Sequence, residues 1–166
     1  MDDQLESELA QLHPALYGWA LSCCRWDHAA AEDAVQTAYL KILNGQARHD
    51  GRSSLKTWLF TLIRRTASAA RRRALLRRWV APADSLPDPR PGPEFSAESR
   101  EQNIRLVAAL QGLARRQREV LTLVFYHDCT IEAAAVMMDI SVGSARTHYA
   151  RAKARLAKRL TPGAAP

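Results

Sequence analysis

At 166 residues, 47% hydrophobic and 25% charged, the chain suits one medium domain or two small ones and is too apolar to be disordered throughout. It has no run near the ~20 apolar residues of a bilayer span, an acidic Met1-Asp2-Asp3 start unlike a signal peptide, and three cysteines, too few for a disulfide framework; a soluble, cytoplasmic protein is expected. The formal charge of +7 points to a polyanionic partner, and aromatics at 7% with recurrent Ala, Leu and Arg predict an all-α fold.

Residues 1–50 carry 3 basic and 8 acidic groups. A first helix is expected over about residues 5–25, apolar on several sides. In the next, Val35, Ala38, Tyr39, Ile42 and Leu43 follow the i, i+3, i+4, i+7, i+8 spacing of one buried face, and Asn44-Gly45 supplies a stop. Asp33, Gln36, Leu40 and Lys41 fall off that stripe. Leu40 is thereby an exposed apolar residue among polar ones, a docking point for a protein or simply a lone surface leucine.

Residues 51–80 carry 9 basic groups and no acidic one. After the polar loop 48–54, Ser54 can cap a helix running to about Trp79, with a buried stripe of Leu55, Trp58, Leu59, Leu62 and Ile63. Away from that stripe lie Lys56, Phe60, Thr61, Arg64, Ser68, Arg71 and Arg72. An outward Phe60 among arginines suits single-stranded nucleic acid, where stacking is worth ~1–3 kcal/mol per base. The plainer alternative packs Phe60 against another helix and leaves a solvated arginine-rich face.

Five of the eight prolines fall between Pro82 and Pro93, a segment that is neither helix nor strand. A stiff linker over 80–101, reaching ~60 Å at ~3.1 Å per residue, is expected to join lobes 1–79 and 102–161.

The second lobe carries 10 basic and 4 acidic groups over residues 102–166. Helical patterns occupy about 102–113, 115–127, 131–138 and 142–160. Met138-Asp139-Ile140-Ser141 is a short break, with Asp139 at the turn where Gly is more usual and Ser141 an N-cap. The last helix buries Ala145, Tyr149, Ala152 and Leu156 on one stripe and carries Ser144, Arg146, Thr147, His148 and Arg151 elsewhere. That is the layout of a helix-turn-helix whose second helix enters the major groove. Arg146 or Arg151 can read guanine with two hydrogen bonds, and the N–H groups from Ser141 to Ser144 can hold a phosphate. The alternative is an ordinary amphipathic helix.

Together these segments resemble a known family. The Glu32-to-Lys41 stretch, Ser54-Leu-Lys-Thr-Trp-Leu-Phe-Thr-Leu-Ile-Arg64 and the arginine cluster behind it are similar to region 2 of bacterial sigma factors. Arg116-Gln-Arg-Glu-Val-Leu121, Ile140-Ser-Val-Gly-Ser-Ala-Arg-Thr-His148 and Arg151-Ala-Lys-Ala-Arg-Leu156 resemble region 4. With only these two regions, the chain resembles the extracytoplasmic-function group. The resemblance implies a non-catalytic specificity subunit that binds RNA polymerase core enzyme and directs promoter recognition, −10 melting and initiation. It places Asp33, Gln36, Leu40 and Lys41 against polymerase. Asp50, Gly51, Arg52 and Ser53 match the loop that pockets a flipped −10 base, with Lys56, Phe60, Arg64, Arg65, Arg71 and Arg72 along the single strand. Ser141, Ser144, Arg146, Thr147, His148 and Arg151 fall on the −35 duplex. Arg65 stands where the family often has Asn and Ala69 where Asp is common, so the −10 base preference does not follow from the resemblance. It further implies an anti-sigma partner; any membrane residence would come from that partner.

No Gly-rich phosphate loop, paired-carboxylate motif or zinc-ligand spacing is present, so neither enzyme nor cofactor is expected; His127-Asp-Cys129 is the nearest approach to a metal pair. Cys23, Cys24 and Cys129 read as buried thiols rather than as a thiol sensor. Two other readings compete: a stand-alone helix-turn-helix regulator, which has no use for the first lobe, and a decoy that binds an anti-sigma protein, which needs neither basic block.

Overall fold

The computed structural model describes residues 3–78 and 97–160, which hold seven helices and no strand. The proline-rich centre of the expected linker lies outside them. The chain divides into two compact units, Met1–Pro89 and Arg90–Pro166. Among the described residues no helix is long and apolar enough to cross a membrane.

The first unit is a three-helix assembly of α1 (Asp3–Cys23), α2 (His28–Leu43) and α3 (Leu55–Arg78), each packed on the other two. Its core is Leu16, Trp19 and Ala20 of α1, Ala31, Ala34, Val35 and Ala38 of α2, and Leu59, Phe60, Ile63 and Ala67 of α3. Local signals set the ends. Asp27 caps α2 by accepting from the Ala30 N–H at 3.0 Å, and Asn44 closes it before Gly45 turns left-handed at φ 67°. Ser54 Oγ accepts from the Thr57 N–H at 3.2 Å and starts α3. Pro14 sits inside α1, where it removes one helical hydrogen bond; packing against both neighbours holds the helix across the gap.

Several expectations fail in this unit. Phe60 is fully buried rather than outward, and Arg64, one turn on, is only 8% exposed. The reason is geometric: α3 lies against both α1 and α2, so it buries a second stripe beside the one its strongest periodicity marks. Leu43 departs the other way; it is 57% exposed, beyond the reach of the core at the last turn of α2.

The second unit contains α4 (Ala97–Gln111), α5 (Arg115–Phe125), α6 (Ile131–Met138) and α7 (Val142–Leu160). Helix α4 begins at Ala97, inside the stretch assigned to the linker, because no proline lies between Pro93 and Pro162 and the residues from Ala97 on favour helix. Leu113, Leu121 and Ala152 form a core cluster with Leu110, Tyr149 and Leu156, and α6 adds Ala134, Ala135, Met137 and Met138. Arg118 and Glu119 are buried as well. Arg118 donates to the Leu113 carbonyl at 3.5 Å, and Glu119 lies 3.8 Å from Arg115 Nε. Arg159, at the end of α7, reaches back over Gly112 and donates to the Ala109 carbonyl at 3.4 Å, fastening the end of α4.

Candidate nucleic-acid interface

Helices α6 and α7 form the expected helix-turn-helix. Thr130 caps α6 by accepting from the Ala133 N–H at 3.1 Å. Asp139 takes the left-handed conformation (φ 55°, ψ 52°) that lets the chain reverse in so few residues, and Ser141 caps α7 by accepting from the Ser144 N–H at 3.1 Å. Ala145 and Ala152 are buried, which fixes the rotation of α7 and leaves Ser144, Arg146, Thr147 and Arg151 exposed; His148 is half-buried.

Those side chains are not equally available. Ser141 Oγ donates to Ser144 Oγ at 2.9 Å, and Thr147 Oγ1 donates to the Gly143 carbonyl at 3.0 Å. With the Ser144 N–H held by Ser141 Oγ, and Ala145 N–H by the Ser141 carbonyl, the helix start offers the Val142 and Gly143 N–H groups to a phosphate. Arg146 Nη2 lies 3.0 Å from Glu132 Oε1 of α6, a pair that joins the two helices of the motif. The Glu132 carboxyl is held below the usual glutamate range, first by its own backbone N–H and then by Arg146. Glu132 went unmarked in the sequence, where it stands fourteen positions from its partner.

The basic face of α3 is narrower than expected. Arg65, Arg71 and Arg72 are exposed, and Arg73 joins them. Lys56 is half-buried, with its ammonium 5.6 Å from the Phe60 ring centroid. Phe60 cannot stack on a base, and Arg64 does not lie on the open face.

The loop before α3 is built rather than loose. Asp50 Oδ1 accepts from the Arg52 N–H at 3.1 Å, and Asp50 Oδ2 pairs with Arg52 Nε at 3.4 Å across Gly51, whose φ of 75° only glycine adopts easily. His49 Nε2 donates to the Ser53 carbonyl at 2.7 Å and its ring lies 5.4 Å from that of Trp58. His49 therefore closes the loop on α3, a role that periodicity could not reveal because the loop has none.

On α2, Asp33, Gln36 and Leu40 are exposed, with Gln36 Nε2 donating to Glu32 Oε1 at 3.3 Å. Leu40, 56% exposed, shares its side of the helix with Leu43, so the apolar point is a small patch. Lys41 differs from expectation: it is half-buried and donates to Thr66 Oγ1 of α3 at 3.3 Å. Cys23, Cys24 and Cys129 are half-buried rather than buried and take part in no disulfide, and among the described residues no cluster of metal-ligating side chains occurs.

Both units match known families. The region 2 model of sigma-70 matches residues 9–77, and the sigma-70 region 4 model matches residues 103–156. The chain is 29% identical over 160 residues to the ECF RNA polymerase sigma factor EcfG of Rhodopseudomonas palustris, covering 94% of this chain and 84% of that one. It is 28% identical over 127 residues to the ECF RNA polymerase sigma factor SigX of Bacillus subtilis, covering 73% and 66%. Among solved structures it resembles the sigma factor RpoE of Bartonella quintana, crystallised with the anti-sigma factor NepR. The TM-score is 0.81 at 25% identity, covering 96% of this chain and 98% of that one.

Proposed function

The chain belongs to the sigma-70 family, in its extracytoplasmic-function group, and from that footing we propose how its surfaces divide the work of initiation. It is a non-enzymatic subunit that binds core RNA polymerase and directs promoter recognition and transcription initiation in the cytoplasm. Its exposed α2 face, with Asp33, Gln36 and Leu40 and with Lys41 at the border, docks on polymerase. The preformed loop Asp50–Ser53, flanked by Lys56, Arg65, Arg71 and Arg72, takes the melted −10 strand. Phe60 and Arg64 support that surface from within. The α7 face with Ser144, Arg146, Thr147, His148 and Arg151, and the helix start at Ser141, takes the −35 duplex.

The observation that carries this reading is the pairing, in one chain and in this order, of the two matched units, each with an exposed face of the chemistry its role needs. A stand-alone helix-turn-helix regulator leaves the match over residues 9–77 without a use. An anti-sigma protein is the expected regulator, covering the Leu40 patch and the face around Arg146, as the RpoE relative was solved with NepR. Competition for core polymerase tests the docking assignment. Labelled chain should be displaced from core by unlabelled chain but not by Leu40→Asp; equal displacement by the variant would remove Leu40 from the interface.

A further inference from the structure

We infer that Glu132 is a specificity-determining positioning residue for the −35 duplex, acting by holding the Arg146 guanidinium in one pose above the groove. The inference rests on the reading of α7 as the −35 helix.

The pair is set on rigid ground. Glu132 stands in the first turn of α6, which Thr130 caps and which Ala134 and Ala135 anchor in the core. Arg146 follows Ala145, which is fully buried. Both backbone positions are therefore fixed, and the freedom that remains is that of two long side chains. Left alone, an exposed arginine samples many rotamers and reaches phosphates and base edges alike. The 3.0 Å bond from Arg146 Nη2 to Glu132 Oε1 narrows that choice. The guanidinium has five N–H donors in a planar fork, so one bond to a carboxylate leaves enough for the two that guanine O6 and N7 require. Holding and reading are thus compatible in the same pose.

The carboxylate also has a cost. A negative charge beside the recognition helix repels the phosphate backbone and weakens binding to every sequence. Glu132 then trades general affinity for discrimination, a combination a merely structural ion pair does not produce.

Holoenzyme reconstituted from the full chain and core polymerase provides the test. A duplex library randomised across the upstream element is selected with wild-type holoenzyme, and affinities are measured for the enriched duplex, its single-base-pair variants and a scrambled duplex. Glu132→Ala should bind the scrambled duplex more tightly while its preference for the enriched one falls about two- to fivefold, the scale of an exposed ion pair. The loss should be confined to the base pairs at which Arg146→Ala also loses preference, and the double variant should lose no more than Arg146→Ala alone. Glu132→Gln, which keeps an acceptor oxygen at the same reach, should recover part of the preference. A uniform gain for all duplexes with the preference intact, in Ala and Gln alike, would overturn the inference while leaving the −35 assignment in place. Failure of wild-type holoenzyme to enrich any sequence would overturn both.

Discussion

Trp19 of α1 and Phe60 of α3 lie in an offset, nearly parallel stack, with ring centroids 5.8 Å apart and planes 8° from parallel, and the Trp19 indole N–H donates to the Phe60 carbonyl at 2.9 Å. One contact thus joins α1 to the helix that carries the basic face, and turns Phe60 from a base-stacking residue into a support. Truncation by Phe60→Ala should destabilise the first unit by about 3–5 kcal/mol in denaturant unfolding. Phe60→Leu, closer in volume, should cost less and leave single-strand binding by the folded protein unchanged. Lost strand affinity in a fully folded Phe60→Leu would return the ring to the interface.

Gly51 has open space around it, so only its φ of 75° opposes a side chain. Gly51→Ala should cost roughly 1 kcal/mol in stability. It should lower affinity for single-stranded −10 DNA more than it lowers the melting temperature, because the Asp50–Arg52 turn shifts. An unchanged strand affinity would show that the loop pose is not what the strand meets.

Arg146→Ala or Arg151→Ala should weaken binding to the enriched upstream duplex by ~1–3 kcal/mol wherever a bidentate base contact is lost. Neither should change binding of single-stranded −10 DNA. Equal losses on scrambled duplex would reassign these arginines to phosphates.

Acid should separate Glu132 from Arg146 late. Because the folded carboxyl titrates below its ordinary value, the pair's contribution is present above that value and is lost as pH falls through the lowered one. A carboxyl-carbon NMR titration should place the Glu132 midpoint below that of a free glutamate side chain. Arg146→Ala should return it only part of the way, since the backbone N–H is the larger cause. A full return would make Arg146 the dominant partner.

Helices and caps were legible in the sequence because their causes are local. The stripe Leu59 and Ile63, the Asn44-Gly45 stop, the Ser54 and Ser141 caps and the Asp139 turn each need only a few neighbouring residues. What escaped depends on distance along the chain. The second buried stripe of α3 exists because Trp19 lies over it, forty-one positions away, and nothing near Phe60 announces that. Lys41 looks like a surface lysine until α3 brings Thr66 beside it, and Arg146 looks free until α6 brings Glu132. Family likeness singled out the loop Asp50–Ser53 as a candidate for the −10 strand, but the His49 bond that closes this loop on α3 needed coordinates.

The central claim is that this chain gives core polymerase a promoter. Run-off transcription with core enzyme and genomic fragments tests it most directly. Added chain should yield discrete transcripts absent with core alone, starting downstream of the upstream sequence the holoenzyme selects, and Arg146→Ala should diminish them. Transcripts no more discrete than those of core alone, from chain shown to be folded, would contradict the account.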